Sequence, residues 1–184
     1  EDGNVREVTK PMAMGELVLA AKVSHVPSLM LSELPGSQLK GAREDAVRAL
    51  RELGRRARER GVSTFVVFDT HWLSNFGYHI NANPRHRGAF TSHEAPQMIQ
   101  DLRYDLPGDP ALAEAIAGEA AGAGLGVIAH RVASLGLEYG TIVPMHYMNE
   151  NGWAKVVSVA TPLFTSPEES RIVGEATRRA IARS

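Results

Sequence analysis

Thr64-Phe65-Val66-Val67-Phe68-Asp69-Thr70-His71-Trp72 decides how this chain of 184 residues is read. Thr64 to Phe68 predicts a strand, with His71 just past its carboxyl end. An upstream stretch repeats the arrangement: Leu17-Val18-Leu19-Ala20-Ala21-Lys22-Val23 reads as a strand, and Ser24-His25-Val26-Pro27 follows it. Between the two, Leu39, Ala42, Ala46, Leu50, Leu53 and Ala57 recur at three- and four-residue intervals. That is the face of one long helix, which Gly61 ends. A strand–helix–strand crossover makes parallel neighbours whose ends lie on the same side. Ligands of open α/β sheets bind outside those carboxyl ends. His25 and His71 are therefore expected to converge there, and two neutral imidazoles make a candidate metal site. The plainer alternative for each is a histidine at a strand end, bonded to a nearby carbonyl.

Outward from these segments the pattern stays α/β. Tyr78-His79-Ile80-Asn81-Ala82, Gly126-Val127-Ile128-Ala129-His130 and Lys155-Val156-Val157-Ser158-Val159-Ala160 read as further strands. Pro110 suits the first turn of a helix running to Ala123. Pro167-Glu168-Glu169 opens a last helix with Ile172, Val173, Ala176, Ala180 and Ile181 as its buried stripe. Asn83 to Gly88 and Asp105 to Pro110 read as turn-rich loops, and Pro144 as the shaper of a turn beneath the site. The fold class expected is α/β, a mostly parallel central sheet with flanking helices in a single domain of which 14–184 is the N-terminal portion. Residues 1–13 are polar and aperiodic and read as a disordered extension. A strand is expected after the last helix, so the pattern predicts that a C-terminal part is absent.

Composition excludes several classes. The net charge is −1, and the arginines between Arg43 and Arg60 are interleaved with Glu44, Asp45, Glu52 and Glu59. They form a solvated, ion-paired helix face, so neither nucleic acid nor an anionic membrane is an expected partner. With no cysteine, any metal must use His and oxygen ligands. No apolar run approaches the about 18 residues of a membrane span, and no signal-peptide pattern is present, so the expected location is cytoplasmic.

Several strings together resemble one family. They are Ala21-Lys-Val-Ser-His-Val-Pro-Ser28, Leu31-Ser-Glu-Leu-Pro-Gly36, Val67-Phe-Asp-Thr-His-Trp-Leu73, Tyr78-His-Ile-Asn81 and Phe90-Thr-Ser92, then Leu137-Glu-Tyr-Gly-Thr-Ile-Val-Pro-Met145 and Tyr147-Met-Asn149. From about Met14 to Ser184 the chain is similar to the class III extradiol ring-cleaving dioxygenases, the superfamily of the protocatechuate 4,5-dioxygenase catalytic subunit. Within it, the strings look most like the branch that acts on homoprotocatechuate (3,4-dihydroxyphenylacetate). The resemblance implies a non-haem Fe(II) cofactor held by two histidines, matching His25 and His71, and by a glutamate. It places that glutamate, and a histidine acting as acid–base catalyst, in a later C-terminal segment.

It implies cleavage of a catecholic acid beside its diol, with both atoms of O2 entering a muconic semialdehyde. A two-histidine, one-carboxylate face leaves metal positions open for catechol and O2. Relatives of this kind assemble, so a homo-oligomer is expected. Alternatives are a related metal dioxygenase acting on another catechol of the DOPA type, or an inactive truncated or partner chain lacking the third ligand.

Other residues carry two readings. Asp69 is the nearest carboxylate to His71 in sequence; Asp69 or Thr70 can orient that histidine by a hydrogen bond. Tyr139 stands in Glu138-Tyr139-Gly140, where many relatives carry Asp-His-Gly. Its phenol can hydrogen-bond a catechol oxygen or be a satisfied core hydroxyl. His130 ends a strand and either lines the same pocket or bonds to backbone. Both are the candidate catalytic residues. Trp72 and Phe90 either wall an aromatic pocket or pack in the core. His79 reads as structural, and His86, His93 and His146 as loop or surface histidines.

Overall fold

The computed structural model describes residues 14–184. The reading of 1–13 as a disordered extension lies outside them. The strand predicted at Thr64 is β1 (Thr64–Ser74), and the remaining strands are β2 (Tyr78–Asn81), β3 (Arg85–Phe90), β4 (Leu102–Pro107), β5 (Val127–His130) and β6 (Lys155–Pro162). The helices are α1 (Glu44–Glu59), α2 (Pro110–Gly122), α3 (Tyr139–Met148) and α4 (Pro167–Ala182). The main sheet runs β1-β6-β2-β5, and β3 and β4 form a separate antiparallel ribbon. β1 with β6 and β2 with β5 are parallel; β2 meets β6 antiparallel at Ile80↔Val159. The α/β class with a mostly parallel sheet and flanking helices is what the sequence predicts.

Strand periodicity sorts the side chains into two layers. Phe65 and Val67 of β1, with Val156 of β6, pack towards Val47 and Leu50 of α1 and Ile142 and Val143 of α3. Val66, Val157 and Val159 pack on the other face, with Leu112 and Ile116 of α2 and Val173 and Ala180 of α4. Burial on both faces is why Val156, Val157, Val159 and Ala160 of β6 show no apolar–polar alternation; the one polar residue among them, Ser158, is buried too.

α1 buries Val47, Leu50, Gly54 and Ala57, while Arg55 and Arg56 bond Glu52 on the outer face. Gly61 takes φ +74°, and its amide and that of Val62 reach back to Arg58 and Ala57, closing the helix in a Schellman motif. α2 starts at Pro110 as expected, with Asp109 as N-cap.

Four expectations fail. Leu17–Val23 belongs to no strand: Val23 packs against the core, but Leu17 and Ala20 to Lys22 remain exposed. The run thus lacks the two-sided burial on which a continuous apolar strand rests. α1 begins only at Glu44, after a series of turns, so Leu39 (58% exposed) and Ala42 lie outside it. The two supposed loops are largely β3 and β4. Arg87 stands opposite Asp105, Arg85 lies diagonal to it, and both bond it across the ribbon. Cross-strand ion pairing thus outweighs the turn-forming residues there. Pro144 shapes no turn: it lies inside α3, whose residues are buried all round except His146.

Candidate metal centre

The site begins where the β1–β6 ladder breaks. Phe68 and Asp69 pair with Val159 and Ala160, but the next partners are Leu73 and Thr161, leaving Thr70, His71 and Trp72 unpaired in a bulge. His71 therefore sits within β1, displaced from the ladder, and not beyond the strand as expected. Bulges re-aim side chains in this way beside functional sites.

Asp69 holds the bulge. It follows Phe65 and Val67 on the α3 face and is almost fully buried. Its Oδ1 accepts the backbone amides of His71 (2.7 Å) and Trp72 (3.1 Å), and its Oδ2 accepts the Thr141 hydroxyl at 2.5 Å. Thr141 lies in turn 3.0 Å from the Ser158 hydroxyl. Every donor near this carboxylate fixes it in place, so Asp69 orients His71 through the backbone, with both oxygens committed. A buried carboxylate is tolerable only with such partners.

His25 reaches the site from the segment before the 3-10 turn Pro27–Ser32, without the predicted crossover. Its ring centroid lies 4.8 Å from that of His71, edge to face. Tyr139, the first residue of α3, lies tilted by 35° against His71 at 4.0 Å and 5.9 Å from His25; Phe90 closes the aromatic side 5.8 Å from Tyr139. The Tyr139 hydroxyl is 2.8 Å from His71 Nε2 and donates to Glu94 at 2.9 Å. Burial first, then the Glu94 hydrogen bond, pushes the Tyr139 phenol up to about 12. Burial also raises Glu138, with the Asp69 charge adding to it.

The structure thus brings His25, His71 and Tyr139 together. It places His130 elsewhere: its Nε2 is 2.8 Å from His79 Nδ1, the two rings stack at 4.9 Å, and Trp72 lies 6.5 Å away. His86 is a buried strand residue bonded to the Val156 carbonyl, contrary to its reading as a loop or surface residue. Glu94 was missed because the telling string ended at Ser92, two residues short of it. Thr141 was missed because a threonine inside an apolar helix carries no periodic signal.

The donors present suit a divalent ion. Burial, then the neighbouring His71, lowers the basicity of His25, partly offset by Asp69, which favours the neutral form that ligates. The Asp69 charge acts on His25, and Glu138 lies within electrostatic reach of His71. Among the described residues, however, no group of three or more His, Asp or Glu is gathered to hold a metal ion.

A family model described as the catalytic LigB subunit of aromatic ring-opening dioxygenase matches residues 19–184. The chain belongs to this family. Membership of the LigB family implies a metal cofactor, for which His25 and His71 are the residues on hand. A 3,4-dihydroxyphenylacetate 2,3-dioxygenase of Escherichia coli is 47% identical over 169 residues, or 91% of this chain. The aligned region is 61% of that relative, so the chain spans about three-fifths of its length. Among the described residues no helix is long and apolar enough to cross a membrane.

Proposed function

We propose that the protein carrying these residues is a non-haem Fe(II) extradiol dioxygenase that opens 3,4-dihydroxyphenylacetate beside its diol to a muconic semialdehyde. The observation that carries this reading is the convergence of His25 and His71, 4.8 Å apart by ring centroid, inside a region matching the LigB family. The substrate rests on the 47% identity to the E. coli enzyme.

His25 and His71 would hold the metal, and a carboxylate from outside the described cluster would complete the set. Fe(II) bound there supplies a redox-active Lewis acid with positions open to both catechol and O2. Asp69 keeps His71 at its station. Tyr139 meets a catechol oxygen, and Phe90 packs beside the ring. His130, bonded to His79 away from this cluster, has no part in the reading. We further read the protein as a cytoplasmic homo-oligomer. Phe76 and Phe164 are exposed beside one cavity, which supports association.

The test is anaerobic Fe(II) loading followed by 3,4-dihydroxyphenylacetate and air. A yellow ring-cleavage product that is lost in His25→Ala and His71→Ala is the expected result for the protein with its full ligand set. Fe(II) binding indifferent to both substitutions would overturn the reading. A panel including a DOPA-type catechol separates the substrates.

A second reading has an observation in its favour, the lack of a three-ligand group among the described residues. On it, these 184 residues alone bind metal through two histidines and turn over little or no catechol. Robust O2 uptake with a catechol by this chain alone would sink it.

A further inference from the structure

We propose that His79 and His130 form a second transition-metal site, separate from the His25–His71 pair, that takes Cu2+ or Ni2+ through two facing imidazole nitrogens. The sheet fixes the pair. β2 and β5 run parallel, with His79 opposite Ile128 and Asn81 opposite His130. Backbone bonds of 2.8 Å, from the Tyr78 amide to Gly126 and from the Ala82 amide to His130, close both ends of this ladder. Tyr78, Ile80, Val127 and Ala129 pack into the core with α2. Strand alternation therefore turns His79 and His130 to the other face.

On that face His79 Nδ1 stands 2.8 Å from His130 Nε2. Imidazole nitrogens bind such ions at about 2.0–2.1 Å, so this separation subtends about 85–90° at the ion. That is the cis angle of a tetragonal site. A tetrahedral zinc ion needs its nitrogens about 3.4 Å apart. Nitrogen donors in tetragonal geometry select Cu2+ or Ni2+. The Phe76 carbonyl lies 3.3 Å from His79 Nε2, the backbone contact by which a ligating imidazole is held from its far side.

Among the described residues no carboxylate joins the pair. Water then fills the remaining positions, and a hard ion such as Mg2+ or Ca2+ finds no oxygen ligands from the protein. The face is open to an ion. His79 and His130 are half-buried, and Ile128 and Phe76 beside them are 53% and 85% exposed. The ion replaces the hydrogen bond between the rings, each turning about its side-chain bonds while the strands stay in place. The site does not depend on the function proposed above.

The experiment titrates the metal-free chain with Cu2+ alone, counting bound ions by equilibrium dialysis and their nitrogen ligands by EPR. His79→Gln and His130→Gln are each expected to lose one bound ion. The double variant His25→Ala/His71→Ala is expected to keep an ion with two imidazole nitrogens. Equal uptake by the wild type, His79→Gln and His130→Gln overturns the proposal. So does a double variant that binds no copper through two nitrogens. Absence of ring cleavage by the iron-loaded protein would instead defeat the proposed function and leave this site standing.

Discussion

Gly140→Ala adds one methyl group where the site has least room. A Cβ at this position would lie 2.1 Å from Asp69 Oδ1 and 2.8 Å from Asp69 Cγ. Ordinary carbon contacts are about 3.5 Å, so the carboxylate must retreat by more than about 1 Å. Its bonds to the His71 amide, the Trp72 amide and the Thr141 hydroxyl start at 2.7, 3.1 and 2.5 Å. Such a retreat carries most of them beyond hydrogen-bonding distance. Hydrogen bonds to a charged group contribute about 1.5–3 kcal/mol each, and relaxation recovers part of the loss. Alanine's helix propensity returns at most about 1 kcal/mol. A net destabilisation of about 3 kcal/mol is expected, a large share of a typical stability of about 5–15 kcal/mol. Gly118→Ala is the matched control: Gly118 lies on the exposed face of α2 with nothing within 4 Å of an added Cβ. There the same change should stabilise by about 0.5–1 kcal/mol. Urea denaturation reads both as midpoint shifts of opposite sign with unchanged m. A Gly140→Ala midpoint equal to or above that of the wild type would refute the packing argument.

Other expectations follow from the same contacts. Thr141→Val leaves Asp69 Oδ2 without a donor and should cost about 2 kcal/mol, while Asp69→Asn, whose amide can face Thr141, should cost about 1 kcal/mol; urea midpoints rank them. His86 is buried, and burial lowers its pKa against a smaller opposing effect of the Val156 carbonyl. Stability is then full above the unfolded value of about 6.5 and falls as pH drops towards the lower folded value, a loss that should be shallower in His86→Gln. Ser166→Ala removes the hydroxyl that accepts the Glu169 amide at the start of α4 but keeps the backbone amide bonded to the Glu169 carboxylate, and should lower the unfolding free energy by about 1 kcal/mol, read as a urea midpoint shift.

What the sequence made legible follows from local periodicity. β1, β2, β5, β6, α2 and α4 could be read because each carries its own apolar pattern or an opening proline, Pro110 or Pro167. α3 could not: a helix buried nearly all round shows no amphipathic stripe, and Pro144 in its middle argues against a helix. β3 and β4 could not either, since Arg85, Arg87 and Asp105 become strand residues only through each other across the ribbon. The pairing of His25 with His71 was foreseen by a crossover that does not form. In the structure the bulge in β1 and the segment before the Pro27–Ser32 turn set the two rings 4.8 Å apart. Glu94 and Thr141 act across 45 and 72 residues of sequence, on Tyr139 and Asp69, and no local pattern encodes such distances.

Asp69 explains why the site lies where β1 stops obeying its own pattern. Positions 65 and 67 place apolar side chains against α3, and position 69 continues that face with a carboxylate. A buried charge there must gather donors. Two of those it gathers are the amides of the next residues but one and two, which can turn inwards only by leaving the ladder with β6. The third comes from Thr141, beside the one α3 residue, Gly140, small enough to let the carboxylate approach. Burial of a single carboxylate therefore forces the bulge, and the bulge presents His71 to His25 and Tyr139. The carboxylate nearest to His71 in sequence is the reason that His71 reaches His25 and Tyr139.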